Sequence, residues 1–390
     1  MLYHLQFLAK AWGPLRLLSS HTFLACFGAA LAALLVLFLL PRLWGLLPRD
    51  RGKALVKDGA ASAGKPTGAG LILLLLVLPV LALVLPLGDR AGSPDLRQWG
   101  VAACLVAAMA TGYFDDRANR PWSRTKKGLL DLAVSVAAAL CLSGFSDVQV
   151  WLPLDTVLRG APADPETAAA AGYAPLLVPW WAHALYAVPI LWITMNATNC
   201  SDGVDGLAGS LTVVALFSLA AFLYGVIGHE EAARYLLVPH DPSGARWAIL
   251  CCVVGGGVAG YLWHNAAPSR VLMGDAGSRA FGLLIGVAVL ATGNPFVVLV
   301  MAPVILANGA TGLLKILLLK GLGRLGMDTG SQDDATRGHW LARKLRSVRF
   351  PLHDHCRTNL GWSNEQVLVR FVLIQSALMP ALFLLLVKIR

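Results

Sequence analysis

Asn196-Ala-Thr-Asn-Cys-Ser-Asp-Gly-Val-Asp-Gly-Leu-Ala-Gly209 lies between two long apolar runs. Its fourteen residues hold two Asn, two Asp, a Ser, a Thr and three Gly. Polar groups are expensive beside a bilayer, so a cluster this dense needs a purpose. Side-chain oxygens together with backbone N–H groups suit a divalent cation and a phosphate. The three-residue spacing puts Asn196 and Asn199 on one side of a helical turn, and Asp202 and Asp205 likewise. The plainer reading is a helix N-cap, served by Ser201 or Asp202. A cap accounts for one residue of the four.

The surrounding chain of 390 residues is 57% hydrophobic and only 14% charged. Soluble domains carry about 25% charged residues, so the composition indicates an all-α integral membrane protein. Apolar runs of roughly 20 residues, enough to span a bilayer, fall at about 21–41, 69–88, 98–114, 128–145, 176–195, 207–228, 246–264, 280–292, 295–319 and 367–387. That makes about ten transmembrane helices in one polytopic domain, 1–390. Residues 1–20 read as an interfacial segment broken by Gly13-Pro14, with no cleavable signal peptide. The net charge of +10 does not require nucleic acid, because basic residues collect in cytoplasmic loops. The seven cysteines show no CxxC spacing and read as small buried hydrophobes.

Lys and Arg set the orientation. Loops 42–67, 115–127, 264–279 and 320–366 hold 21 of them, against 9 on the other side with both termini included. The positive-inside rule therefore puts the termini outside and those loops in the cytoplasm. Segment 146–175 becomes an external connector, with Val148–Leu152 alternating like a hairpin strand. Residues 324–350 suggest a basic amphipathic helix on the lipid surface.

Four polar clusters then share the cytoplasmic face. Asp115-Asp116 closes the third span, and adjacent carboxylates repel unless a cation or proton sits between them. The opening stretch is the second cluster. His264-Asn265 leads to Met273-Gly-Asp-Ala-Gly-Ser278, a turn opening a helix. Such a turn can offer backbone N–H groups to phosphate while Asp275 holds Mg²⁺. His353-Asp354-His355 lies in the long loop before the last span. Its spacing is wrong for a helical zinc pair, so phosphate or sugar contact is read ahead of the alternative, a plain surface loop. Acids and bases gathered at one face suit phosphoryl transfer, in which cations neutralise developing charge.

With these clusters in place, the chain resembles the polyprenyl-phosphate N-acetylhexosamine-1-phosphate transferase superfamily. Within it, the chain is most similar to the phospho-N-acetylmuramoyl-pentapeptide transferases. Asp115-Asp116 resembles the family's acid pair. Asn196–Ala208 resembles its Asn-Ala-x-Asn-Leu-Thr-Asp-Gly-x-Asp-Gly-Leu-Ala signature, and Met273–Ser278 its Met-Gly-Asp-Thr-Gly-Ser turn. Pro351–His355, Gly361-Trp362 and Val369-Arg-Phe371 resemble the triple-His loop and the start of the last span. The similarity runs from about residue 20 to the C-terminus.

The resemblance implies ten spans, periplasmic termini, a site at the cytoplasmic face of a bacterial inner membrane, and a homodimer. It implies that undecaprenyl phosphate attacks UDP-N-acetylmuramoyl-pentapeptide with Mg²⁺ present, giving lipid I and UMP. Carried over residue by residue, Asp275 is the Mg²⁺ ligand, Asp115 the base or positioner of the lipid phosphate, and Asp116 its partner. Asp202 and His353 complete the catalytic set. Gly203, Val204 and Asp205 line a uracil pocket, with Leu272 where a stacking aromatic is usual. Lys65, Lys127, Asn196, Asn199, Asn265 and His355 fall at other substrate positions.

The chain departs from the family pattern at Asp354, at Asn119, at Leu272 and in the Gly64–Gly70 loop. These departures bear on sugar-nucleotide selectivity more than on reaction class. UDP-N-acetylglucosamine as donor is the nearest alternative, and the Gly-Trp and Val-Arg-Phe context speaks against it. A lipid transporter would show broken helices and midplane charge. An inactive scaffold would have little reason to keep Asp115, Asp116, Asp202 and Asp275.

Overall fold

The computed structural model describes residues 2–3, 5, 12–50, 62–86, 96–118, 120, 122–152, 175–328 and 339–388. It is mostly helical. In chain order the long helices are α1 His21–Leu43, α2 Ala69–Val84, α3 Leu96–Arg117, α4 Arg124–Ser143, α5 Trp180–Ser201, α6 Leu207–Phe222, α7 Gly244–Asn265, α8 Gly274–Ala291, α9 Thr311–Arg324 and α10 Asn364–Lys388. Each apolar run read from the sequence meets a helical segment. The ninth is broken into short pieces, Val297–Met301, Pro303–Ile305 and a π turn at Leu306–Ala310, before α9 begins. Six of these segments are long and apolar enough to cross a membrane: His21–Leu46, Leu207–Ile227, Gly244–Asn265, Gly274–Ala291, Pro303–Arg324 and Asn364–Leu386.

Burial sorts the helices. α7 and α8 are enclosed by protein on most sides, while α9 and α10 leave most of their surface outward. α8 packs against α2, α3, α5 and α6, and α7 against α1, α2 and α6. Between lipid-soluble helices there is little hydrophobic drive, so close backbone approach and packing must hold them. The α1–α7 crossing shows how. A Cβ on Gly256 or Gly260 would run into the backbone of Ala29 or Ala33. The two small-residue rows, each with a four-residue step, let the helix backbones touch.

Among the described residues the helical fold carries one small sheet. Val148–Val150 pairs antiparallel with Leu176–Val178, Val150 opposite Leu176. The alternation at 148–152 does mark a strand, but its partner comes 26 residues later, after residues 153–174, which lie outside the described set. The early segment adds an isolated bridge, Arg49 to Pro66. In the basic segment, Trp340–Ser347 forms a short helix, and 329–338 lie outside the described residues.

Candidate active site

The site gathers at the N-terminus of α8. Gly274 has φ +71°, and a side chain there would meet Asp116 and the backbone of Gly68. Only glycine lets α2, α3 and α8 close so tightly. The first N–H groups of a helix have no partner within it. Here Asp116 supplies one: its Oδ1 accepts from Asp275 N at 3.1 Å and its Oδ2 from Ala276 N at 3.1 Å. This corrects the sequence expectation that the turn offers those N–H groups to phosphate. Asp116 caps the helix, and the anion also suits the helix dipole.

Asp115, one residue earlier, points elsewhere. Its side chain is 4% exposed and ion-paired to Lys127, and its Oδ1 accepts from Trp122 N at 2.9 Å. Lys127 also donates to Asp275 Oδ2 at 3.1 Å. One ammonium thus spans two carboxylates contributed by α3 and α8. Asn199, from the last turns of α5, donates to Asp275 Oδ1 and to Ser278 Oγ, both at 2.9 Å. Asp275 is therefore held from both oxygens, by Asn199 on one and by Lys127 and Arg279 on the other.

Arg279 was legible in the sequence only as one more basic residue of the 264–279 segment. It is buried, 2% exposed, inside α8. Its guanidinium donates to Asp275 Oδ2 at 2.9 Å and to Asp131 Oδ1 at 3.2 Å, and lies 3.9 Å from Asp115 Oδ2. The signal that could have found it was an arginine carried into an apolar helix four residues after an aspartate.

The opening stretch divides its work. Asn196 and Asn199 do share α5, as their spacing predicts. Asn196 donates to Trp192 O at 2.9 Å. Asp202 and Asp205 do not share a helical turn, because residues 202–206 form the non-helical link between α5 and α6. Nor do Ser201 and Asp202 cap α6. Gly206, with φ +78°, holds that position, and Ser201 Oγ turns back to Ala197 O at 2.8 Å. Asp205 is anchored by Ser269, which donates from its N at 2.9 Å and its Oγ at 2.7 Å. Lys65 donates to Ser269 Oγ at 2.9 Å and lies 3.8 Å from Asp205. Asn265, 4% exposed, accepts from Gly206 N and donates to Val271 O, tying the two loops together. Leu272 bonds through its backbone to Pro66 O and Ala69 N, so the Gly64–Gly70 loop docks on the Gly-Asp turn.

His353, Asp354 and His355 sit on a short helix, Leu352–Asn359, rather than in the loop expected from the sequence, and this helix reaches the same region. His353, 2% exposed, packs its ring on Gly203, where any side chain would collide with it. Asn308, in the π turn, accepts from His353 N at 2.9 Å and donates to Ser201 Oγ at 3.0 Å. That bridge was not read from the sequence, since a lone Asn in an apolar run carries no spacing signal. Burial pushes the His353 imidazole below its ordinary value despite Asp354 at 3.6 Å. His355 is peripheral: its Nδ1 accepts from Arg349 N at 3.3 Å. Asn119 lies outside the described residues.

Among the described residues no three His, Cys, Asp or Glu side chains converge as a ready metal cage. Mg²⁺ usually sits on one or two carboxylates while waters and substrate phosphates fill the octahedron. Asp115 and Asp275 fit that mode, because their oxygens already face one shared cation, the Lys127 ammonium.

Comparison with known proteins adds to this geometry. Residues 98–293 match glycosyl transferase family 4. The chain is 40% identical to a phospho-N-acetylmuramoyl-pentapeptide-transferase of Treponema pallidum (strain Nichols), covering 100% of this chain and 97% of that one. It is 31% identical to the protein of that name from Gemmatimonas aurantiaca, covering 96% of each. With the one from Methylacidiphilum infernorum it shares 28% identity over 95% of each.

Proposed function

The chain belongs to glycosyl transferase family 4 and, within it, to the phospho-N-acetylmuramoyl-pentapeptide transferases, and on that premise we propose how its polar face works. The protein is a membrane-bound phosphotransferase. It moves phospho-N-acetylmuramoyl-pentapeptide from its UDP donor to undecaprenyl phosphate, giving lipid I and UMP. An oxygen of the lipid phosphate bonds to the donor's β-phosphorus. The bond from that phosphorus to the bridging oxygen breaks, and UMP leaves. Both partners are anionic, so the protein's task is to bring them together and offset their charge.

Asp275, Asp115 and Lys127 are the reaction centre. The observation that carries this is the single ammonium spanning two carboxylates from different helices. Mg²⁺, held by Asp275 with Asp115 alongside, would neutralise the diphosphate. Lys127 then turns to the phosphates, being long enough to serve either partner. Asp115 orients the lipid phosphate. Asn199 fixes Asp275. Asp116 holds the α8 terminus in register. Asp202, Gly203, Val204 and Asp205, with Lys65 and Leu272 beside them, form the nucleotide side of the site. Asn196 and Asn265 brace it, and His353 and His355 bring the long loop toward the sugar phosphate.

The ten helical segments and the basic-residue count support ten passes in a bacterial inner membrane, with both termini periplasmic and this face cytoplasmic. One polytopic domain contains the whole site, and a homodimer is the assembly the family suggests.

The test is UMP release by the purified protein in detergent with undecaprenyl phosphate. UDP-N-acetylmuramoyl-pentapeptide and UDP-N-acetylglucosamine are supplied separately, each with Mg²⁺ or EDTA. Release from the muramoyl donor alone, abolished by EDTA, is the expected result. Release from the other donor would move the protein to the sister activity.

A further inference from the structure

Arg279 and Asp131 are charged residues that the reaction as described does not use. Both are buried: Arg279 is 2% exposed and Asp131 1%. A buried ion pair stabilises little, since desolvation offsets most of the attraction. Two charges deep in a helical bundle therefore need another reason. Their placement supplies it. The guanidinium forks, with one arm on Asp275 Oδ2 at 2.9 Å and the other on Asp131 Oδ1 at 3.2 Å. Asp131 sits on α4, one turn beyond Lys127, and the Asn196 amide also reaches its carboxylate. Lys127 is 28% exposed by comparison and carries its charge on a flexible stem. Arg279 cannot leave: burial, two bonds and its planar fork hold it.

We propose that Arg279 and Asp131 form a positioning pair that holds Asp275 in its working orientation and sets how tightly the site takes up a divalent cation. The proposal rests on Asp275 being the metal ligand. A fixed positive charge against that carboxylate weakens its hold on a second cation. Asp131 draws part of the guanidinium's charge away and so moderates the effect. The pair keeps metal binding weak enough for substrate phosphates to complete it.

The experiment is Mn²⁺ titration of the purified full chain in detergent, read by electron paramagnetic resonance, alongside kcat and KM for the UDP donor. Arg279→Gln removes the fixed charge, so Mn²⁺ binds roughly tenfold more tightly, while kcat falls and donor KM changes little. Asp131→Asn leaves the guanidinium facing Asp275 alone, so Mn²⁺ binds several-fold more weakly, about the reverse effect. Arg279→Lys keeps the charge and loses the fork. It holds Mn²⁺ as the wild type does, yet with lowered kcat. Opposite shifts from the two neutral variants are not what a purely structural pair would give.

Should Arg279→Gln fail to fold, the double variant Arg279→Gln/Asp131→Asn removes both buried charges. It still binds Mn²⁺ more tightly than wild type, because the guanidinium touches Asp275 and Asp131 acts from behind it. Unchanged Mn²⁺ affinity in the neutral variants overturns the proposal. Asp275→Asn separates the two readings. Loss of Mn²⁺ binding there keeps Asp275 as ligand whatever Arg279 does. Retained binding overturns the ligand assignment and the proposal with it.

Discussion

At its Gly274 end, α8 meets Asp116, Asp115, Lys127 and Asp131, and carries Asp275 and Arg279 into their midst. At its Ala291 end it meets neutral groups. Trp151 Nε1 donates to Thr292 O at 2.8 Å, Trp151 N donates to Gly293 O at 3.0 Å, and Thr292 Oγ1 turns back to Val289 O at 2.6 Å. Both ends are partly buried, and both have backbone groups the helix itself cannot satisfy. Neutral hydrogen bonds suffice at one. The charges at the other exceed what capping a helix end requires, and of its acids Asp116 is the one that accepts from the terminal N–H groups.

This contrast can be broken experimentally. Asp115→Asn should lower UMP release about 10³-fold, because it loses the carboxylate that orients the lipid phosphate, and Lys127→Met about 10²-fold, because it removes a positive charge that the anionic transition state needs. Thermal unfolding should move little for either, and a parallel loss of stability would make them structural like Asp116. Asp116→Ala strips the acceptor from two N–H groups, at about 1–3 kcal/mol each. A lower Tm should accompany its loss of turnover, with Asp116→Asn partway between. At the neutral end, Trp151→Phe should cost about 1 kcal/mol of stability and leave turnover within about twofold.

The smallest effect is in pH. His353 is held below its ordinary value by burial, with Asp354 as the nearest opposing charge. The folded state therefore binds fewer protons than the unfolded one. Stability is full above roughly pH 6.5 and declines as pH falls from there through the folded value. His353→Gln should flatten that acid limb in a thermal-unfolding series. An unchanged limb would place the titration elsewhere.

Much of this contrast was visible in the sequence. The apolar runs marked the helices because a bilayer demands length and apolarity and little else. The basic loops and polar clusters alternate with the apolar runs so that the positive-inside rule assigns them to one face. Asp115, Lys127, Asn199 and Asp275 were named, and the structure brings them together. Less visible was the division of labour. Adjacent Asp115 and Asp116 read as one acid pair, yet they point to different partners because successive residues on a helix face different directions. The Asp202–Asp205 spacing suggested a helical face where the chain makes a turn, since α5 ends at Ser201 and α6 begins only after Gly206, at φ +78°. Arg279, Asp131 and Asn308 carried no motif. Each owes its role to a neighbour distant in sequence, which spacing along the chain does not reveal.

The most direct test of the charged end as reaction centre is UMP release by Asp275→Asn, with wild-type protein of matched thermal stability beside it. The account predicts that turnover with UDP-N-acetylmuramoyl-pentapeptide and undecaprenyl phosphate falls to background at any Mg²⁺ concentration. Substantial turnover with an unaltered Mg²⁺ response would contradict it.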